Sequence, residues 1–481
     1  MKWFKLSEVG PSILLAALLL LILPISFSLS AQEQEQGAPA KHRLALVGGT
    51  IYSAPFERPI TNGVVLIENG KIIAVGEEAK LQIPPGVETI DCTGRAIVAG
   101  FWNSHVHFTE PKWENAANLP PTQLTKQLQE MLTRFGFTSV ADTGSLLSNT
   151  LAIRARVESS EVPGEGANKV LGPRILTAGF PLFPKDGIPY YLVDTLPPDI
   201  LKLLDQPATP EEAVRAVDEH VAQGADIIKL FTVSPVHREG KFVWRPMPLA
   251  IVQAATAEAH RKGKLVFAHP STVEGAELVV RGHVDVLAHA VEDLEHWDDS
   301  LVSRLKAANV SLIPTLTLFS GENGPDAAHE GILREVKSYS DAGGQILFGT
   351  DVGYLTDYPL LTREFELLQR TGLTFDQILA ALTTAPAARF GFTATTGRVA
   401  AGQDADLVVL NGDPARDIKA FFRVALTLRS GNILFRDPTL QAIHKFAQVP
   451  ANIAPTTIAT RHRESIREGW TKDLDLSFRE K

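Results

Sequence analysis

Eight short apolar runs recur along the middle of this chain, most of them separated by helical patterns. They are Ala96 to His105, Ser139 to Asp142, Arg174 to Ala178, Asp226 to Phe231, Leu265 to His269, Val284 to His289, Ser311 to Thr315 and Gln345 to Asp351. Short runs of this composition read as strands. Between them, Pro121 to Phe135 places Leu124, Leu128, Met131 and Leu132 near helical spacing. Thr209-Pro210-Glu211-Glu212 is a helix start, with proline in the first turn and acids near the positive pole. Pro248 to Lys262 and Glu274 to Arg281 read as further helices. Strands alternating with helices call for a parallel sheet, and eight such units predict an α/β fold, a TIM-like (β/α)8 barrel. Pro314 falls inside the seventh run, where it removes a ladder donor. The stretches Phe180 to Pro198 and Thr232 to Met247 follow strands and are long, so they would lie over the barrel mouth.

Both ends of the chain are β-rich instead. Leu44 to Val47, Val64 to Ile67 and Ile72 to Gly76 are short β-branched runs, and Glu68-Asn69-Gly70-Lys71 is a hairpin signal. Ala405 to Leu410, Val424 to Leu428 and Arg429 to Phe435 repeat the pattern late in the chain. Neither piece has enough strands for a stable sheet. The expected architecture is therefore one small β-sandwich domain from residues 42–95 plus 396–437, around a barrel at 96–395. A tail, 438–481, has mixed charge and no clear periodicity.

The first residues read as an export signal, 1–31, followed by a linker, 32–41. Lys2 and Lys5 precede an uninterrupted apolar run, Ile13 to Leu23; Pro24 and alternating serines end it, and Ala31 offers a cleavage site. The run is short for a span of about 20 residues. The expected location is secreted or periplasmic, with no stable membrane span after cleavage. Removal of Lys2, Lys5 and Glu8 takes the formal charge from -9 to -10. No concentrated basic face points to nucleic acid. Cys92 is the single cysteine, so no internal disulfide is available, and its Thr93-Gly94 context reads as packing. The partner expected is a small-molecule substrate, with a homo-oligomer left open.

Ligand-type side chains punctuate the strand runs. Residues two apart on a strand share a face, so His105 and His107 can converge on one ion. Lys229, His269, His289 and Asp351 follow at or near the ends of later runs. Barrel chemistry sits at the C-terminal ends of the strands, and imidazole and carboxylate suit Zn²⁺ and related ions. Lys229 lies between Ile228 and Leu230; burial of its ammonium is costly and favours the free amine. A free amine can add carbon dioxide as a carbamate, which has two oxygens and could bridge two metals.

This set resembles the metal-dependent amidohydrolase superfamily in its two-metal barrel form. The motifs are Gly100 to His107, Ala225 to Lys229, Phe267 to His269, Leu287 to His289, Gly349 to Asp351, Ala385 to Gly391 and Gly402 to Leu410. The pattern is similar to the branch of imidazolonepropionase-like proteins, Xaa-Pro dipeptidases and related carboxypeptidases. The resemblance implies that His105, His107 and Asp351 hold one metal, His269 and His289 a second, and carboxylated Lys229 bridges two divalent ions, zinc being expected. It further implies a metal-bridging hydroxide as nucleophile and Asp351 as the proton carrier to the leaving nitrogen. Lys229 argues against imidazolonepropionase activity itself, which resembles a one-metal arrangement without that lysine.

The function expected is hydrolysis of C–N bonds of amide, dipeptide or N-acyl amino acid type. A lactonase or phosphotriesterase with the same site, or a non-catalytic scaffold, are the alternatives, since the metals do not dictate the leaving group. His283 reads as a loop residue, and His220, His260, His296 and His329 read as surface. Asp142 receives no role. Tyr190, Tyr191, Arg238 and Trp244 sit in the two mouth loops, where substrate contact and plain packing are both open.

Overall fold

Gly100 divides the run Ala96 to His105 that reads as one strand. In the computed structural model, which describes residues 43–159, 169–320, 327–440 and 442–443, Ala96–Ala99 and Phe101–Val106 are two strands of different sheets. Gly100 N donates to the Asp406 carbonyl, and Phe101 N, one residue later, donates to the Gly136 carbonyl. The chain changes hydrogen-bond partner at that residue. A Cβ at Gly100 would lie 2.2 Å from Thr138 Oγ1, so only glycine passes here without displacement. The expected export signal, the linker and most of the tail lie outside the described residues. Among the described residues no helix is long and apolar enough to cross a membrane.

The first sheet has nine strands and draws on both ends of the chain. Its order is Asn432–Arg436, Val424–Arg429, Leu407–Leu410, Ala96–Ala99, Arg43–Ile51, Ile60–Glu68, Lys71–Glu77, with Glu88–Asp91 also beside Arg43–Ile51 and Ala442–Ile443 beside Glu88–Asp91. Asn69 and Gly70 make the expected hairpin turn between antiparallel partners. Alternate residues go to opposite faces: Leu44 and Leu46 pack with Ile97 and Leu407, whereas Ala45 and Val47 pack with Val64 and Leu66. Cys92 is fully buried in the first of these clusters, and burial pushes its thiol up to about 12.

The remaining strands are parallel and fall in two sheets. Phe101–Val106, Phe137–Asp142 and Arg174–Thr177 form one. Ile227–Phe231, Leu265–His269, Val286–Ala288, Ser311–Ile313 and Gln345–Ile346 form the other. Backbone bonds link them at both ends: Asp226 N to the Thr177 carbonyl on one side, and Ser104 N to the Phe348 carbonyl with Asp351 N to the His105 carbonyl on the other. The result is an α/β fold of TIM-barrel type. The seventh strand stops at Ile313, immediately before Pro314. The helix Pro121–Met131 buries Leu124, Leu128 and Met131, as its periodicity requires. Thr209 caps Pro210–Gln223 by accepting from Glu212 N. Of the two long connections, one contains the helix Tyr190–Thr195 and the other is a β-hairpin, Val233–Arg238 with Lys241–Pro246.

A side chain's face follows from strand parity. Ile228 and Leu230 pack outward with the helices, while Ile227 packs in the inner cluster with Phe267 and Ile313. Lys229 therefore points inward, and at 2% exposure it is among the largest fully buried residues. His269 shares the inner face with Phe267 by the same rule.

Candidate metal centre

His105, His107, Lys229, His269, His289 and Asp351 all line one cavity of about 340 Å³. Their rings form a chain of contacts: His105 to His107 at 5.2 Å between centroids, His105 to His289 at 4.3 Å, and His269 to His289 at 4.5 Å. His105, His289 and Asp351 each present a ligand atom, and these atoms lie within 4.8 Å of one another. That trio crosses the two ligand groups that the resemblance implies, because His289 sits with His105 and Asp351.

Asp351 Oδ1 lies 3.2 Å from His105 Nε2 and 2.9 Å from His107 Nε2. Neither ring nitrogen of His105 nor Asp351 Oδ1 has an aligned hydrogen-bond partner among the described residues, although all three are buried. Buried polar atoms are nearly always satisfied. Atoms that converge without bonding one another fit a cation between them. Tetrahedral ligands of a zinc ion about 2.0–2.1 Å away are themselves a little over 3 Å apart, on the order of the contacts seen.

The protonation states suit the same reading. Burial pushes His105 down to about 3, and burial also lowers His269 and His289. Burial opposes charge on Asp351, yet the adjoining His105 and His107 hold it well below the ordinary carboxylate range. His107 alone is raised: burial opposes its charge, and contact with Asp351 outweighs that. Burial pushes Lys229 down to about 7, with Asp351 opposing. The neutral imidazoles of His105, His269 and His289, a carboxylate and a partly neutral amine form a donor set for divalent ions.

Backbone strain collects at the same place. His289, Thr315 and Asp351 have φ of 135°, 46° and 59°, uncommon for residues with a side chain. Parity would send His289 outward with Leu287; departure from strand geometry at its own residue accompanies its place in the cavity. Gly353 follows at φ 102°, where a Cβ would sit 1.9 Å from the His107 carbonyl oxygen.

Sequence reading missed several members of the site. His269 Nε2 faces Glu292 Oε1 at 3.1 Å, and Ser271 holds Glu292 by its backbone. An acid three residues after His289 was the available signal. Thr315 meets His289 Nδ1 at 2.7 Å, and Gly144 accepts from His107 Nδ1 at 2.8 Å. Glu364 accepts from Leu316 N and Thr317 N, far away in sequence. Tyr190, Tyr191 and Trp244 line the cavity, whereas Arg238 does not. Asp142 accepts from Ser145 and Thr177 and shapes the loop below His107. His329, read as a surface residue, is buried at 1% exposure, because its helix packs that face inward.

The amidohydrolase family matches residues 96–434, and the chain belongs to that family. It is an enzyme that hydrolyses C–N bonds, in a family that generally uses a divalent metal. It is similar to the imidazolonepropionase of Thermoplasma acidophilum, 24% identical over 399 residues, which span 78% of this chain and 89% of that one. It is also 25% identical to the ochratoxinase of Aspergillus niger over 248 residues, 47% of this chain and 50% of that one. In fold it is similar to an Xaa-Pro dipeptidase solved with bound methionine: TM-score 0.66, 19% identity, 81% of this chain and 99% of that one.

Proposed function

We propose that this protein hydrolyses an amide-type C–N bond at a two-metal site held by His105, His107, His269, His289, Asp351 and a carboxylated Lys229, with zinc as the expected metal. The observation that carries this reading is the buried convergence of His105, His289 and Asp351, in which both ring nitrogens of His105 and Asp351 Oδ1 lack aligned partners among the described residues. Bound divalent ions supply an acidified water and polarise the scissile carbonyl. The side chains do the rest. Asp351, held ionised, accepts the proton of the attacking water and delivers it to the leaving nitrogen. Lys229, with much of its amine neutral near pH 7, adds carbon dioxide to give a carbamate and a released proton. Gly144 and Thr315 hold the Nδ1 atoms of His107 and His289, which leaves each Nε2 facing the cavity.

The same proposal includes the architecture. The two parallel sheets are read as one closed (β/α)8 barrel, and the nine-stranded sheet as a small sandwich domain built from residues 42–95 and 396–437. The N-terminal export signal gives a secreted or periplasmic enzyme, which N-terminal sequencing of the mature protein tests. The activity is tested by metal analysis together with a hydrolysis screen of amides, lactones and phosphotriesters. About two divalent ions per chain, amide hydrolysis, loss on chelation and return on metal addition are expected. Full activity after exhaustive metal removal would reject the reading.

A further inference from the structure

The cavity wall beyond the ligand set is aromatic. Tyr190 and Tyr191 stand 5.6 Å apart, Tyr191 and Tyr354 5.9 Å, Tyr190 and Phe242 6.3 Å, and Phe242 and Trp244 4.8 Å. Phe242 and Tyr354 are 49% and 51% exposed at the rim. Large apolar side chains left open around a concave site mark where an apolar ligand enters.

The charges on this wall are of one sign. Among the described residues lining the cavity, Glu292 is the charged group outside the ligand set, and no arginine or second lysine joins Lys229. Two cations of the surrounding loops have partners of their own. Arg245 donates to the Lys185 carbonyl at 3.0 Å. Lys112 pairs with Glu110 at 2.9 Å and lies over the Trp113 and Tyr358 rings. A free dipeptide or an N-acyl amino acid brings a carboxylate with it. Here that carboxylate would lose water against aromatic faces, find no cationic side chain on the wall, and meet the like charge of Glu292.

We propose that the substrate is an amide without negative charge, carrying an aromatic or branched apolar group that seats between Tyr190, Tyr191, Trp244 and Tyr354. This rests on the amide-hydrolase reading above and narrows it. Free dipeptides and N-acyl amino acids are excluded as preferred substrates.

Matched pairs test it on the metal-loaded protein: an N-acyl anilide against its para-carboxylated analogue, and a dipeptide amide against the free dipeptide. The neutral member of each pair is expected to exceed the anionic one by about tenfold or more in kcat/KM, the ratio set by roughly one uncompensated charge contact. In Tyr354→Arg, a rim substitution, the ratio is expected to move toward the anionic member. Equal or faster hydrolysis of the anionic members overturns the substrate proposal and leaves amide hydrolysis standing. Hydrolysis of neither kind, alongside turnover of a lactone or phosphotriester, overturns the amide reading and this proposal with it. A ratio that Tyr354→Arg does not move rejects the seat at Tyr354.

Discussion

The Thr315 hydroxyl meets His289 Nδ1 at 2.7 Å and donates its own proton to the Pro314 carbonyl at 2.8 Å. A hydroxyl has one proton to give. Thr315 is therefore the acceptor toward His289, whose Nδ1 carries hydrogen and whose Nε2 keeps its lone pair. Thr315→Val keeps the shape and removes the acceptor. Metal affinity is expected to fall about 10–100-fold, read by competition with a chelator, while circular dichroism shows the fold retained.

Glu364 gives a pH prediction. Burial pushes its carboxyl up to about 7 from an ordinary 4.5, against the bonds it accepts from Leu316 and Thr317. The folded state therefore keeps a proton that the unfolded chain gives up as pH rises through that window. This contribution to stability is complete below about pH 4.5 and is lost on the way to about pH 7. Glu364→Gln cannot titrate. Denaturant melts across that range are expected to show a shallower pH slope for the variant than for the parent; an identical slope refutes the assignment.

Arg174 joins the parallel sheet to the nine-stranded one. Its guanidinium donates to Ser139 Oγ at 2.9 Å and Asp406 at 3.3 Å, and lies over the Phe392 ring. Asp406 is buried, and burial raises its carboxyl despite Arg174. Arg174→Met strips that carboxylate of a counter-ion. A loss of about 3–5 kcal/mol is expected from chemical denaturation, with Asp406→Asn in the same chain recovering a measurable part.

Gly100→Ala places a methyl against Thr138. Overpacking of this kind costs about 1–3 kcal/mol. The melting temperature is expected to drop, and Thr138→Ala is expected to return part of it by vacating the Oγ1 position.

Lys229→Met removes the amine that would carry carbon dioxide. Protein equilibrated with ¹³C-bicarbonate is expected to show a carbamate carbon resonance that this variant lacks, together with a lower metal content by elemental analysis. The same resonance in the variant would refute the assignment.

What could be read beforehand follows from range along the chain. His105 and His107 advertise themselves by spacing, and Lys229 by an ammonium amid Ile228 and Leu230, since strand parity is a local rule. Strand parity misplaces His289, because a positive φ overrides it and depends on neighbours such as Thr315. Gly100 sits in an unbroken apolar run, so nothing local signals that its two sides pair with different sheets. Glu364 acts 47 residues from Thr317, and such a contact exists only once both helices are packed. The hairpin at Val233–Pro246 was hidden by its polar, mixed composition.

The nine-stranded sheet interleaves early and late segments, with Leu407–Leu410 as the neighbour of Ala96–Ala99. A ribosome delivers these two strands roughly 300 residues apart, about 15–60 s at ordinary rates of synthesis. Throughout that interval the nascent polypeptide exposes an unfilled strand edge, open to pairing with a neighbouring chain on the same message.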